Sequence, residues 1–293
     1  MTTFTTFSIA GPPRSVPLLV RLRLLFGGFS GQFGWFFFGF GMIFVWLFTC
    51  SADLTGWYIF RGDLETAPGR ITASRQTRMS VNDNPVWEYA YTFTAPDGQT
   101  CEGTSCKTGG GDRANGKVQI EFPKGRPQTS RIHGMSRKPM GLFGLFPVLF
   151  PAVGLCFIAS ATAKGTKGIR LLRDGHPGAG RLIAKEPTNT KINDQTVYRL
   201  TFEFTSLDGR KYNASAKTHL PAILEDEPEE PLLYDPSDPA CAVMLDDLPG
   251  APRIDEYGQV RTAAPLAALK AVIIPAAAII GHGAYLYLRY RPH

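Results

Sequence analysis

The chain has 293 residues, 44% of them hydrophobic, with 31 Lys and Arg against 25 Asp and Glu, a net charge of +6, and five cysteines. The cations form no dense patch interleaved with aromatics, which argues against nucleic acid as a partner. A mean hydropathy near zero blends long apolar spans with polar stretches, so the composition fits an embedded membrane protein better than one uniform globular domain.

Residues 1–23 read as a short polar tail ending in Arg21 and Arg23. Residues 24–51 carry no charge and form the first expected transmembrane helix, long enough at about 1.5 Å per residue to cross roughly 30 Å of hydrocarbon. A secretory signal would have a shorter apolar region and a small-residue cleavage site, which is not evident. Gly27, Gly31, Gly34 and Gly41 fall at heptad-like spacing. They suit a seam where a second helix approaches closely, or are simply glycines of a Phe-rich helix.

A first β-domain is expected over residues 54–137, with Arg70–Arg78 as a leading strand. Trp87, Tyr89, Tyr91 and Phe93 then alternate with Glu88, Ala90, Thr92 and Thr94, the period-two pattern of a strand with one apolar face. Ala95-Pro96-Asp97-Gly98 closes the run as a hairpin turn, with Gly98 supplying positive φ and Asp97 bonding nearby amides. After a loop at 108–116, residues 117–122 and 129–132 complete the domain. Gly111–Lys117 has phosphate-loop spacing, but Val118 follows where a hydroxyl is needed and a strand where a helix is needed. Nucleotide binding is rejected.

Residues 141–163 form the second expected span, kinked by Pro147 and Pro151 and followed by Lys164, Lys167, Arg170 and Arg173. The second β-domain, residues 178–257, repeats the first at an offset of 111 (197 − 86). Of 38 aligned positions from Gly69/Gly180 to Cys106/Lys217, eleven are identical, where composition alone would give roughly two or three. Tyr198, Leu200, Phe202 and Phe204 repeat the apolar face, and Asp208-Gly209 repeats the turn. Residues 224–231, LEDEPEEP, lack the glycine and alternating oxygens of a calcium loop and read as a solvated acidic loop. Tyr234-Asp235-Pro236-Ser237-Asp238-Pro239 reads as a rigid turn. The third span is expected over 264–289, with Tyr285, Tyr287 and Tyr290 as an interfacial belt. His282 reads as a neutral histidine near the head groups.

The order of anchor span, aromatic hairpin, Tyr-Asp-Pro-x-x-Pro turn and closing span resembles a bacterial membrane family, domain of unknown function 3592, in two tandem copies. Tyr234, Asp235, Pro236 and Pro239 carry its most specific motif, of which the first copy keeps Phe122 and Pro127. The resemblance implies a multi-pass protein of the bacterial inner membrane with no assigned activity.

The expected architecture is therefore α+β: three transmembrane helices alternating with two duplicated small antiparallel β-domains of sandwich or barrel type. No catalytic, cofactor or metal residue is expected. The five histidines never fall at ligand spacing with Cys or Glu, and no nucleophile elbow or paired-carboxylate site is evident. Cys101 and Cys106 would face opposite ways on a straight strand. The expected function is non-enzymatic: a scaffold presenting its β-domains to a protein partner, an envelope component or each other. The alternative is an accessory or sensor of a transport or signalling system. Three crossings would put the two domains on opposite sides of the bilayer. Arg14, Arg21 and Arg23 against Arg289 and Arg291 lean towards a cytoplasmic N-terminus.

Overall fold

The computed structural model describes residues 9–291; the first eight residues of the expected tail, and Pro292 and His293, lie outside them. In chain order come α1 (Leu18–Phe26), α2 (Phe29–Phe48), α3 (Thr55–Tyr58), β1 (Leu64–Val81), β2 (Asn84–Thr94), β3 (Thr100–Thr108), β4 (Lys117–Pro123) and β5 (Arg131–Ile132). Next are α4 (Leu149–Asp174), β6 (His176–Ile192), β7 (Gln195–Thr205), β8 (Lys211–Thr218), β9 (Glu230–Asp235) and β10 (Asp238–Met244). The short strands β11 (Arg253–Ile254) and β12 (Val260–Arg261) follow, then α5 (Pro265–Lys270) and α6 (Ile273–Tyr290). The fold is α+β. Three helical stretches, Phe29–Phe48, Leu142–Asp174 and Pro265–Tyr290, are long and apolar enough to cross a membrane.

The chain forms two compact units, Phe40–Ala152 and the remainder, Met1–Gly39 with Val153–His293. In the first unit the strands run in the order β3-β2-β1-β4-β5, all antiparallel. β1 is 18 residues long because it serves two partners. Its first part pairs with β4 from Leu64 to Arg70, and its remainder with β2 up to Val81. Cys106 and Ser136 exchange backbone hydrogen bonds at 2.6 and 3.1 Å, drawing β3 round to the segment after β5. The enclosed core holds Ile71, Tyr89, Tyr91, Phe93, Ile120 and Phe122, all at most 3% exposed, with Trp87 partly buried at its edge. The strand parity thus places the aromatics inside, where each fully buried large side chain contributes about 1.5–3 kcal/mol.

The second unit repeats this plan in the order β10-β9-β6-β7-β8, around Leu200, Phe202, Phe204, Leu232, Tyr234 and Met244. It also holds a cluster with no counterpart in the first, made by Val16, Val20, Leu24, Leu171, Leu172 and Leu233 with neighbours. Residues 9–26 are therefore no polar tail. Val20 and Leu24 lie four apart on one face of α1 and pack on the last turn of α4. Arg14, 4% exposed, closes the end of α4. Its guanidinium donates to the carbonyls of Leu172 (3.0 Å) and Gly175, and its amide to that of Arg173 (2.7 Å). These are carbonyls the helix itself leaves without partners.

Three other boundaries differ from expectation. The first apolar helix begins at Phe29, since Gly27 ends α1 as its C-cap. Pro147 lies in a 3-10 segment, Leu142–Val148, and Pro151 in the first turn of α4. The amides of a first turn need no intrahelical partner, so these prolines start the helix instead of kinking its middle. Finally, α4 continues to Asp174, so the basic run after the span is helical.

Candidate functional site

The residues retained in both copies account for backbone geometry. Asn82 (φ 48°) and Asp83 (φ 62°) form the β1–β2 turn, and Asn193 and Asp194 repeat it with the same angles. Such left-handed pairs match the twist of a two-residue hairpin. Thr77 and Thr188 bridge the bulge beside that turn, donating to the carbonyls of Val86 (2.8 Å) and Val197 (2.7 Å). Gly98 (φ 83°) and Gly209 (φ 76°) sit in the left-handed region. Asp97 and Asp208 accept the amides of Gln99 and Arg210, each at 3.0 Å. At Gly69 a Cβ would lie 2.6 Å from the Ile120 side chain, and at Gly180 2.9 Å from Leu232. The duplication has thus kept a framework.

The Tyr-Asp-Pro-x-x-Pro motif is structural in the same sense. Tyr234 is 1% exposed, and its hydroxyl accepts the Leu207 amide at 3.1 Å, tying β9 to the Asp208-Gly209 turn. Asp235 caps the β9–β10 turn, accepting the amide (2.9 Å) and hydroxyl (2.6 Å) of Ser237. Its second oxygen lies 3.5 Å from Arg170 of α4. Pro236 stands at the first turn position, which it pre-sets, and Pro239 follows at the start of β10. In the first copy Phe122 fills the place of Tyr234, stacking on Phe93 at 5.5 Å where Tyr234 lies tilted against Phe204 at 5.1 Å.

Of the four helix glycines, three face another helix. Gly31 lies against Ala161, and a Cβ on Gly34 would come within 2.9 Å of the Gly154 carbonyl and the Ile158 amide. Gly41 lies against Phe150 and Pro151. The seam joins α2 to α4 of the same chain. Gly27 takes no part in it. His282 donates from Nε2 to the Gly39 carbonyl at 2.9 Å, linking α6 to α2.

Three polar or apolar features remain outside the framework. In the first unit Glu121, 5% exposed, accepts from Arg131 Nε (2.5 Å) and lies 2.7 Å from His133 Nδ1. Burial pushes its carboxyl up, but the hydrogen bonds from His133 and Arg131 outweigh that and hold it below its ordinary value. The Arg131 guanidinium also covers the Phe60 ring at 4.1 Å. Next to it is an open groove of about 230 Å³ lined by Asp53, Trp57, Arg61 and Arg131. Both Asp53 oxygens are engaged, by the Thr55 amide (2.9 Å) and hydroxyl (2.5 Å) and by the Arg137 amide (2.6 Å). These bonds outweigh the upward push of burial and hold Asp53 below its ordinary value.

The second feature is an apolar cavity of about 300 Å³ in the same unit, lined by Phe40, Phe44, Phe48, Phe143, Phe146 and Phe150 with three neighbours. The third is Glu230 in the second unit. The acidic run is solvated over residues 225–229, but Glu230 belongs to β9, pairs with Gly180 and is 2% exposed. One of its oxygens is buried without a partner. Burial first, and then Asp226, Asp246 and Glu227, raise its carboxyl to about 7.

No group of three or more His, Cys, Asp or Glu among the described residues is placed to hold a metal. Cys101 and Cys106 are both free and buried, because the alternation of β3 breaks at Ser105. Burial, then Glu88 and Asp53, push the Cys106 thiol up to about 11, so it stays protonated and unreactive.

No family model and no curated protein matches the chain. Among solved structures, a replication protein A heterotrimer bound to ssDNA aligns with 79% of this chain and 55% of its own, at 8% identity and a TM-score of 0.17. A likeness that slight carries no argument about fold or function.

Proposed function

We propose that this is a non-enzymatic, multi-pass integral membrane protein that presents two β-modules to a partner protein, an envelope component or a second copy of itself. The three apolar helices support the membrane placement, and the resemblance to the bacterial family of unknown function 3592 would put it in an inner membrane. One observation carries the presenting role. In each copy a β-ribbon extends past the body of its sheet, with no buried residue from 72 to 85 or from 181 to 196. Beyond Asn115 and Gly116, which bond to Ile71, the outer edge of β1 has no ladder partner among the described residues. An unpaired strand edge is a template for strand addition by another chain. Both copies keep the same Asn-Asp tip.

The test is affinity purification in mild detergent, with residues 79–84 and 190–195 each replaced by a minimal Asn-Gly hairpin. Partner recovery should fall at least tenfold while both modules stay protease-resistant. Full recovery with the shortened ribbons would refute the role. The sensor reading has support of its own: α4 runs from a candidate span into the second module, burying Leu171 and Leu172 in its core. Movement of that helix would be felt directly by the module.

A further inference from the structure

We propose that the Phe40–Ala152 unit holds one anionic phospholipid, with an acyl chain in the phenylalanine-lined cavity and its phosphate at Arg61 and Arg131. The proposal rests on the membrane placement above and adds a ligand to it. Two cavities meet along one short stretch of chain. Met140, Phe143 and Gly144 line the apolar cavity, while Gly141 and Leu142, between them in sequence, line the polar groove. One segment, residues 140–144, thus contributes lining to both. It is held in place by the 2.8 Å bond from the Thr49 hydroxyl to the Gly144 carbonyl and by the pairing of Ala52 with Met140.

The chemistry of the two halves matches a lipid. The apolar cavity is formed by residues of two candidate membrane spans and their ends. Its volume is at the lower end of the roughly 300–1,000 Å³ usual for ligand pockets. Its lining offers an occupant almost no polar contact, which suits a hydrocarbon chain. The groove lies just past the end of α2, where Trp57 and Tyr58 are 53% and 82% exposed, as aromatics at the head-group level are. Arg61 is stacked over Trp57 at 5.3 Å and meets no carboxylate among the described residues. Arg131 has one carboxylate partner, Glu121, and its five donors leave N–H groups for a second acceptor. Gly56 leaves it room: a Cβ there would stand 3.3 Å from Arg131 Nη1. The Asp53 oxygens are taken up by the Thr55 amide and hydroxyl and the Arg137 amide, so Asp53 makes no ion pair with Arg61 or Arg131 among the described residues. A guanidinium pair beside an aromatic is suited to a phosphate diester.

Native mass spectrometry of the full chain, released from nanodiscs of mixed phosphatidylglycerol and phosphatidylcholine, tests the assignment. The wild type should retain one phosphatidylglycerol in preference to phosphatidylcholine. Arg61→Glu should lower that retention at least tenfold, and Arg126→Glu, the same charge change at an exposed position, should lower it less than twofold. Equal losses in both variants, or no preference between head groups, would overturn the site. Excess inorganic phosphate should not displace the lipid; if it does, phosphate alone is the ligand and the lipid assignment fails. Cell fractionation separates the two layers of argument. A chain recovered in the soluble fraction would refute the membrane placement itself, whereas a membrane-bound chain without lipid preference would refute only this site.

Discussion

Replacing Phe204 by Ala tests the core of the second module most directly. The ring is 2% exposed, lies 5.1 Å from Tyr234 and 6.2 Å from Tyr212, and fills space left open by Gly178. Once the ring is gone, the hole is bounded by a tyrosine fixed through its hydroxyl and by a glycine with no side chain to move in. The site collapses poorly, and the cost belongs in the range of about 3–5 kcal/mol for such truncations. At roughly 1.4 kcal/mol per factor of ten, this is a loss of about two to three and a half decades in amide protection. Hydrogen exchange of the full chain in detergent reads it on peptides from β7 and β9, with β2 peptides as the internal reference. A loss under tenfold on β7 would show that the aromatic face is not a packed core.

The same measurement separates two neighbouring turn variants. Gly209→Val forces a β-branched residue into φ near 76° and should cost at least about 1–2 kcal/mol, while Arg210→Val should stay within about 0.5 kcal/mol; equal costs would remove the case for a left-handed requirement. Glu230 should make the second module pH-sensitive. Because its folded-state pKa, about 7, is raised from 4.5, the stability linked to its protonated form is fully present below about 4.5 and lost as pH rises through about 7. The urea midpoint should therefore fall between pH 5 and pH 8, and Glu230→Gln should flatten that difference. The proposed three crossings further predict that cysteines placed by Asp112→Cys and Glu229→Cys label from opposite faces of intact cells with an impermeant maleimide. Labelling of both from one face would rule out a single crossing by the middle helix.

What the sequence made legible was periodic or repeated. The alternation through Trp87–Phe93 and Tyr198–Phe204 specified the buried faces, and the two Asp-Gly pairs specified one hairpin turn per module. The second turn, Asn82-Asp83, is a pair kept in both copies but lacks the glycine that marks a left-handed turn in the sequence. The docking of α1 had a faint local trace in the four-residue spacing of Val16, Val20 and Leu24. The Glu121–Arg131–His133 cluster could have been found only from the β4–β5 register, which sets Glu121 opposite Arg131. The burial of Glu230 had no local signal, since four exposed acids precede it and only the pairing of β9 with β6 takes it out of solvent.

Arg14 also bears on how the chain is assembled. Its partners lie 158 and 161 residues downstream, so the segment that carries Arg14 cannot dock until the end of α4 has been synthesised. Closing so long a loop is slow, although each doubling of length adds only about 0.6 kcal/mol of entropic cost. Until that closure, the last carbonyls of α4 and the leucines beside them face water. Biogenesis of the second module is thus bound to the fate of the N-terminal segment. A fusion or truncation that holds residues 9–26 away would leave the hairpins able to form, but their anchorage to the helix incomplete.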